Sequence, residues 1–381
     1  MRDATNRPAG RLDRMAAETR TQPWHWTVVL PVVAFVALVL TWGRHIPNGI
    51  VTIVAVLLAG AVIAAVHHAE VVALRVGEPF GSLVLAVAVT VIEVALIVTL
   101  MITGDPAKTQ SLARDTVFAA VMITCNGILG LCLLVATAKR HVAVFNAEGT
   151  GGALATVATL ATLSLVLPSF TTSRTGPEFS PGQLTFAALA SLALYGLFVT
   201  VQAGRHRDYF LPVTRTGEVI EEEQHADPPS NRAALVSLGL LMVALVAVVG
   251  DAKAVSPTIE SVVARAGFPS SFVGVVIALL VLLPETLAAV RAARRDRVQT
   301  SLNLALGSAI ASIGLTIPAI AVAMIWLEGP LVLGLGATQI VLLALTVVVG
   351  VLTVVPGRAT LLQSGVHFVL FAAFIALAIN P

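Results

Sequence analysis

Two glutamates stand inside long apolar runs: Glu93 in "LAVAVTVIEVALIV" and Glu285 in "VGVVIALLVLLPETLAAV". A carboxylate within hydrocarbon costs several kcal/mol, so it is paired, protonated or holding a cation. One such residue can also be read as a packing residue neutralised by a proton. Two at matching positions read as a site. Two carboxylates facing one another titrate as a unit. A hard cation takes oxygen ligands from carboxylates, carbonyls and hydroxyls, and displaces protons as it binds. The chemistry expected of the pair is therefore competition between a cation and protons for the same oxygens.

Other oxygen and amide groups lie close by in sequence. Thr90 precedes Glu93 by one turn, and the next apolar run holds Thr124 and Asn126 in "MITCNGILG". After Glu285 comes "SLNLALGSAIASIGL", with Asn303, Gly307, Ser308 and Ser312. Ser301, Ser308 and Ser312 share one helical face. Pro284 has no N–H to offer the carbonyl one turn back, which makes the Leu280 carbonyl a candidate ligand beside Glu285. The asparagines and serines also suit plain helix–helix contacts in a membrane.

The elements that hold these residues follow from composition. Hydrophobic residues make up 57% of the 381 residues and charged residues 12%, with a mean hydropathy of +0.93. That is an all-α polytopic membrane protein, and the small net charge of +2 argues against nucleic-acid binding. About 20 apolar residues cross a bilayer as a helix. Eleven such runs lie near 26–43, 48–66, 82–103, 115–137, 151–168, 183–203, 233–250, 271–290, 301–326, 330–354 and 360–379. Trp24, Trp26, Trp42 and Trp326 fall at their edges, as interfacial anchors do. Residues 1–25 read as a polar tail before a retained anchor helix at 26–43, since no small-x-small cleavage site follows it. Seventeen of the 23 lysines and arginines lie on the side of the N-terminus, including Arg291, Arg294, Arg295 and Arg297. The positive-inside rule then sets the N-terminus in the cytoplasm and the C-terminus outside.

An internal repeat organises the runs. "GEPFGSLVLAVAVTVIE" and "GFPSSFVGVVIALLVLLPE" each open on glycine-x-proline, at Gly77–Pro79 and Gly267–Pro269, and reach a glutamate 16 or 18 residues after the glycine. With the first helix set aside, residues 48–203 and 233–379 form two units of five spans. An odd number of crossings makes the two units inverted, and their pseudo-two-fold brings Glu93 and Glu285 together near the midplane. The stretch 204–232 between them, with Glu221, Glu222 and Glu223, reads as a solvated cytoplasmic linker or as a cation-attracting acidic patch. Cys125 and Cys132 read as packing residues. His67 and His68 read as structural groups at the cytoplasmic interface.

These segments resemble the cation/calcium exchanger superfamily, and within it the bacterial calcium or sodium-potassium/proton antiporters (ChaA type). The most specific parts are "GEPFGSLVLAVAVTVIEVALI" and "LLVLLPETLAAVRAARRDRVQTSLNLALGSAIASIGLTIP". The resemblance implies inverted five-helix repeats, alternating access driven by the proton gradient, and Glu93 and Glu285 as the ion-binding and proton-carrying residues. It places Asn303, Gly307 and Ser308 in the segment after the second glutamate, with Thr124 and Asn126 as first-repeat counterparts. Many calcium/proton exchangers carry glycine-asparagine before each glutamate, where this chain has "TVIE" and "LLPE". Calcium is the expected cargo, with sodium or potassium as the alternative. The expected setting is the inner or plasma membrane. The expected partners are lipid and the transported cations, with no tightly bound cofactor, and a homo-oligomer is allowed. An intramembrane enzyme is disfavoured because "HHAEV" has the wrong order for a zinc motif and no Gly-x-Ser-x-Gly elbow occurs. A passive channel is disfavoured by the repeat.

Overall fold

The computed structural model describes residues 26–44, 46–77, 80–105, 109–213, 228–327 and 329–381. Trp24, Pro79, the N-terminal tail and the Glu221–Glu223 patch lie outside the described residues.

The chain is helical almost throughout. Helices α1 (Trp26–Thr41), α2 (Asn48–Val76) and α3 (Phe80–Thr103) come first. Next, α4 (Leu112–Met122) and α5 (Leu129–Arg140) are joined through a π-helical turn, Ile123–Ile128, and α6 (Ala147–Ala161) and α7 (Pro181–Thr200) follow. The second half runs α8 (Asn231–Arg265), α9 (Phe272–Val281), α10 (Leu283–Arg294), α11 (Val298–Ala323), α12 (Ala337–Val354) and α13 (Leu361–Ile379). Nine described helices are long and apolar enough to cross a membrane, and α9 with α10 forms a tenth span bent by 53°. With the shorter apolar helix α1, every one of the expected runs falls on a helix.

Local chemistry sets many of the helix starts. Ser180 and Thr360 open α7 and α13 with capping boxes to Gln183 and Gln363, and the Ser230 hydroxyl accepts from Ala233 N at the head of α8. Apolar side chains such as Leu352, Leu362 and Val369 face outward, as lipid contact requires. Trp26, Trp42 and Trp326 are exposed at helix ends. Inside, small residues let helices close up: a Cβ on Gly60 or Gly250 would strike Leu30 or Leu38 of α1, and one on Gly314 would strike Tyr195. Helix α8 lies along α2 and against α1, while α11 runs through the centre, touching α3, α5, α6, α7 and α10. Cys125 and Cys132 are free thiols buried in the main core.

Three boundaries differ from expectation. Helix α2 continues past residue 66 to Val76, and buried His68 in that extension bridges Ser237 of α8 (3.2 Å) and the Thr27 carbonyl of α1 (2.9 Å). Helix α8 continues past Gly250 through Asp251 and Lys253 to Arg265, with Lys253 lying over the Trp42 ring. A hydropathy count stops at the first charge, whereas helix α8 runs on through it. The run expected from 330 becomes helical only at Ala337, because Val332, Gly334 and Leu335 donate their N–H groups to Gln110, Pro177 and Leu165 instead. A short ladder, β1 (Ala143–Val144) against β2 (Arg358–Ala359), joins two loops, with Ala143 opposite Ala359.

Candidate functional site

Glu93 and Glu285 line the same cavity, about 170 Å³ in volume. Glu93 comes from the middle of α3 and is 3% exposed. Its Oε1 accepts a hydrogen bond from the Ser312 hydroxyl of α11 at 2.7 Å. Glu285 enters from the start of α10, and its Oε2 is shielded without a hydrogen-bond partner.

The wall that carries Glu285 is broken for a reason legible in its sequence. Pro284 gives Leu280 no N–H to accept, and the chain bends by 53° between α9 and α10. Glu285 consequently lies in the first turn of a new helix, where the dipole favours a carboxylate. Thr286 closes the break by donating both its N–H (2.9 Å) and its hydroxyl (2.7 Å) to the Leu282 carbonyl. Val281 and Leu282 form the cavity wall at the bend, and Leu280 is not part of it. The break stands where Pro284 put it, two residues nearer the glutamate than the expected carbonyl.

Of the other expected residues, Thr90, Asn303, Gly307, Ser308 and Ser312 line this cavity. Asn303 is held there: its Nδ2 donates to the Phe210 carbonyl (2.7 Å) and its Oδ1 accepts from Gln299 (2.8 Å). Thr124 and Asn126 are placed elsewhere. Thr124 donates to the Ala120 carbonyl of its own helix (2.7 Å). Asn126 donates to Thr346 of α12 (2.9 Å) and lies 3.1 Å from Nδ1 of His367 on α13. Thr353 completes this second network at Nε2 of His367 (3.1 Å). The Asn126 oxygen can only accept, so His367 carries its proton on Nδ1 and accepts from Thr353. These polar groups are mutually satisfied and serve helix packing.

Two contributors had no strong sequence signal. Tyr195 of α7 and Gln202, in the π-helical turn Val201–Arg205, line the cavity from a segment with no intramembrane charge to mark it. Thr316, one turn along α11 from Ser312, is buried and turns its hydroxyl toward the Glu93 carboxylate.

Two carboxylates, hydroxyls and an amide around a small space form an oxygen-rich pocket in an apolar wall. Residues 46–204 and 236–380 match the family model described as sodium/calcium exchanger protein. The chain belongs to that family. Along 93% of its length, this exchanger is 44% identical to y4hA of Sinorhizobium fredii (strain NBRC 101917 / NGR234), whose name proposes an ionic transporter and of which 96% is covered. It is 32% identical, over 93% of itself and 96% of the relative, to the sodium-potassium/proton antiporter ChaA of Escherichia coli (strain K12). Its fold matches the H+/Ca2+ exchanger CAX at a TM-score of 0.68 and 16% identity, covering 92% of this chain and 86% of that one. Native YfkE matches at 0.67 and 15% identity, covering 93% and 100%. The protein is a multi-pass membrane antiporter of cations, not an enzyme.

Proposed function

We propose that this exchanger exports Ca2+ in return for H+ across the cell's inner or plasma membrane, with Glu93 and Glu285 carrying both. The observation that supports this reading is that two carboxylates from different helices line one cavity, with the Ser312 hydroxyl on one of them. A pair of buried negative charges is neutralised by one calcium ion or by two protons, so either load crosses without leaving an uncompensated charge in the bilayer. Thr90 and Ser308 supply further oxygens. Water completes the six to eight ligands that calcium takes, and the cavity of about 170 Å³ has room for it.

In this reading α2 to α7 and α8 to α13 are the two inverted five-span units, α1 stands apart, and rocking of one unit against the other opens the cavity to each side in turn. The N-terminus faces the cytoplasm and the C-terminus the outside, following the lysine and arginine distribution. Sodium or potassium exchange is the second reading. It is favoured by the sodium-potassium/proton exchange for which the 32% identical relative is named and by the engagement of Asn303 in structural bonds, which thins the ligand set.

The test is proton release from inverted vesicles on addition of Ca2+, Na+ or K+. Release with Ca2+ alone supports the first reading, and release with Na+ or K+ alone supports the second. Cation uptake without proton movement sinks both.

A further inference from the structure

Asp251 is fully buried, at 0% exposure, and neither of its carboxylate oxygens has a hydrogen-bond partner. It lies on α8, away from the cavity of Glu93 and Glu285. Its neighbours on the helix fix where it faces. Gly250 abuts Leu38 of α1, and Val255 clusters with Val51 and Val54 of α2. At about 100° per residue, Asp251 falls between these two directions and enters the seam of α1 and α2.

Among the described residues, no charge meets it there. Helix α1 has no titratable residue, and Arg44 lies past its end. On α2, His67, His68, Glu70 and Arg75 lie toward the other end, where His68 meets Ser237 and Arg75 donates to Asn231. Glu93 of α3 faces the exchange cavity, and α9 has no titratable residue. On α8 itself, exposed Lys253 lies over Trp42. Glu260 is on the far side of the helix, bonded to Ser256 (3.2 Å) and lining a separate cavity with Thr109.

An ionised carboxylate cannot persist in such a seam, and a protonated one still leaves polar atoms unpaired. Any apolar residue of similar size would pack there at less cost. We propose that Asp251 is a proton-binding site separate from the exchange cavity, holding its proton in the seam that α1 closes over α8. The carboxylate takes a proton from water when the seam is open and returns it to water when the seam next opens. Close contact at Gly250 seals it between those events. The role rests on proton-coupled exchange as read for the cavity.

Proton release per cation, with Ca2+ and Na+ as probes, is compared between wild type and Asp251→Asn in inverted vesicles. The ratio is expected to fall by roughly one third, three titrating carboxyls becoming two, with the half-saturating cation concentration unchanged. An unchanged ratio overturns the assignment. Should the variant not insert, wild-type protein treated with dicyclohexylcarbodiimide and mapped by mass spectrometry decides the matter: an adduct on Asp251 is expected, and its absence at both acidic and alkaline pH overturns the site. Wild type that releases no protons with either cation sinks the exchange reading instead, and the adduct map still reports on Asp251.

Discussion

The Ser312 hydroxyl of α11 donates to the Glu93 carboxylate of α3 at 2.7 Å, tying the central helix to one half of the cavity. A hydrogen bond to a charged group contributes about 1.5–3 kcal/mol. Ser312→Ala is therefore expected to raise the half-saturating cation concentration by roughly 10- to 100-fold. Cation titration of proton release reads this directly, and a shift of less than about twofold would remove Ser312 from the ion site.

Glu93→Gln and Glu285→Gln keep the shape of each side chain and remove its charge. Both variants are expected to reach the membrane in normal amounts and to lose exchange by on the order of 100-fold or more, because the cation is left with one of its two charged ligands. Full activity in either one would take that glutamate out of the mechanism.

Protons and cation compete for the same pair in wild type. Lowering pH on the cation side should weaken apparent cation affinity, by up to about 100-fold per pH unit where two protons must leave and about tenfold where one must. Half-saturation measured across pH separates the two cases, and a flat profile argues against shared oxygens.

Gly307 lines the cavity, and a Cβ built on it meets no atom within 4 Å. Gly307→Leu should leave thermal stability within about 1 kcal/mol while its side chain fills the ion's space and stops transport. Retained transport would show that the ion passes elsewhere.

Asn126 tests the packing network apart from the site. Asn126→Leu strands Thr346 and His367 and is expected to destabilise the fold by about 1–3 kcal/mol, lowering the thermal midpoint in detergent. Half-saturation by cation should not move. A shift there would return Asn126 to the ion pathway.

Glu93 and Glu285 were legible because a charge inside an apolar run has no bland explanation once it is repeated, and Pro284 announced the break beside one of them. The apolar runs were legible by simple length: among the described residues ten fall on spans long enough to cross a membrane, and the eleventh on the shorter apolar helix α1. Asn126 and Thr124 looked like ligands because a polar residue in a membrane helix declares only that it needs a partner. Which partner it finds, Thr346 and His367 in this case, depends on helices more than 200 residues away. Asp251 was read as loop for the opposite reason: hydropathy ended the span at Gly250, and only packing against α1 and α2 shows the helix continuing. Tyr195 and Gln202 carry no intramembrane charge, so nothing in their own segment pointed to the cavity.

The two-residue ladder between Ala143–Val144 and Arg358–Ala359, extended by Phe145 N–H to the Gly357 carbonyl, makes two distant connections depend on each other for their backbone partners. Lengthening either turn alone would strand N–H and C=O groups in the other, beside the buried Ala143 and Ala359, where an unpaired backbone group is costly. The loop after α5 and the loop after α12 are thus constrained as a single unit of length, although more than half the chain separates them.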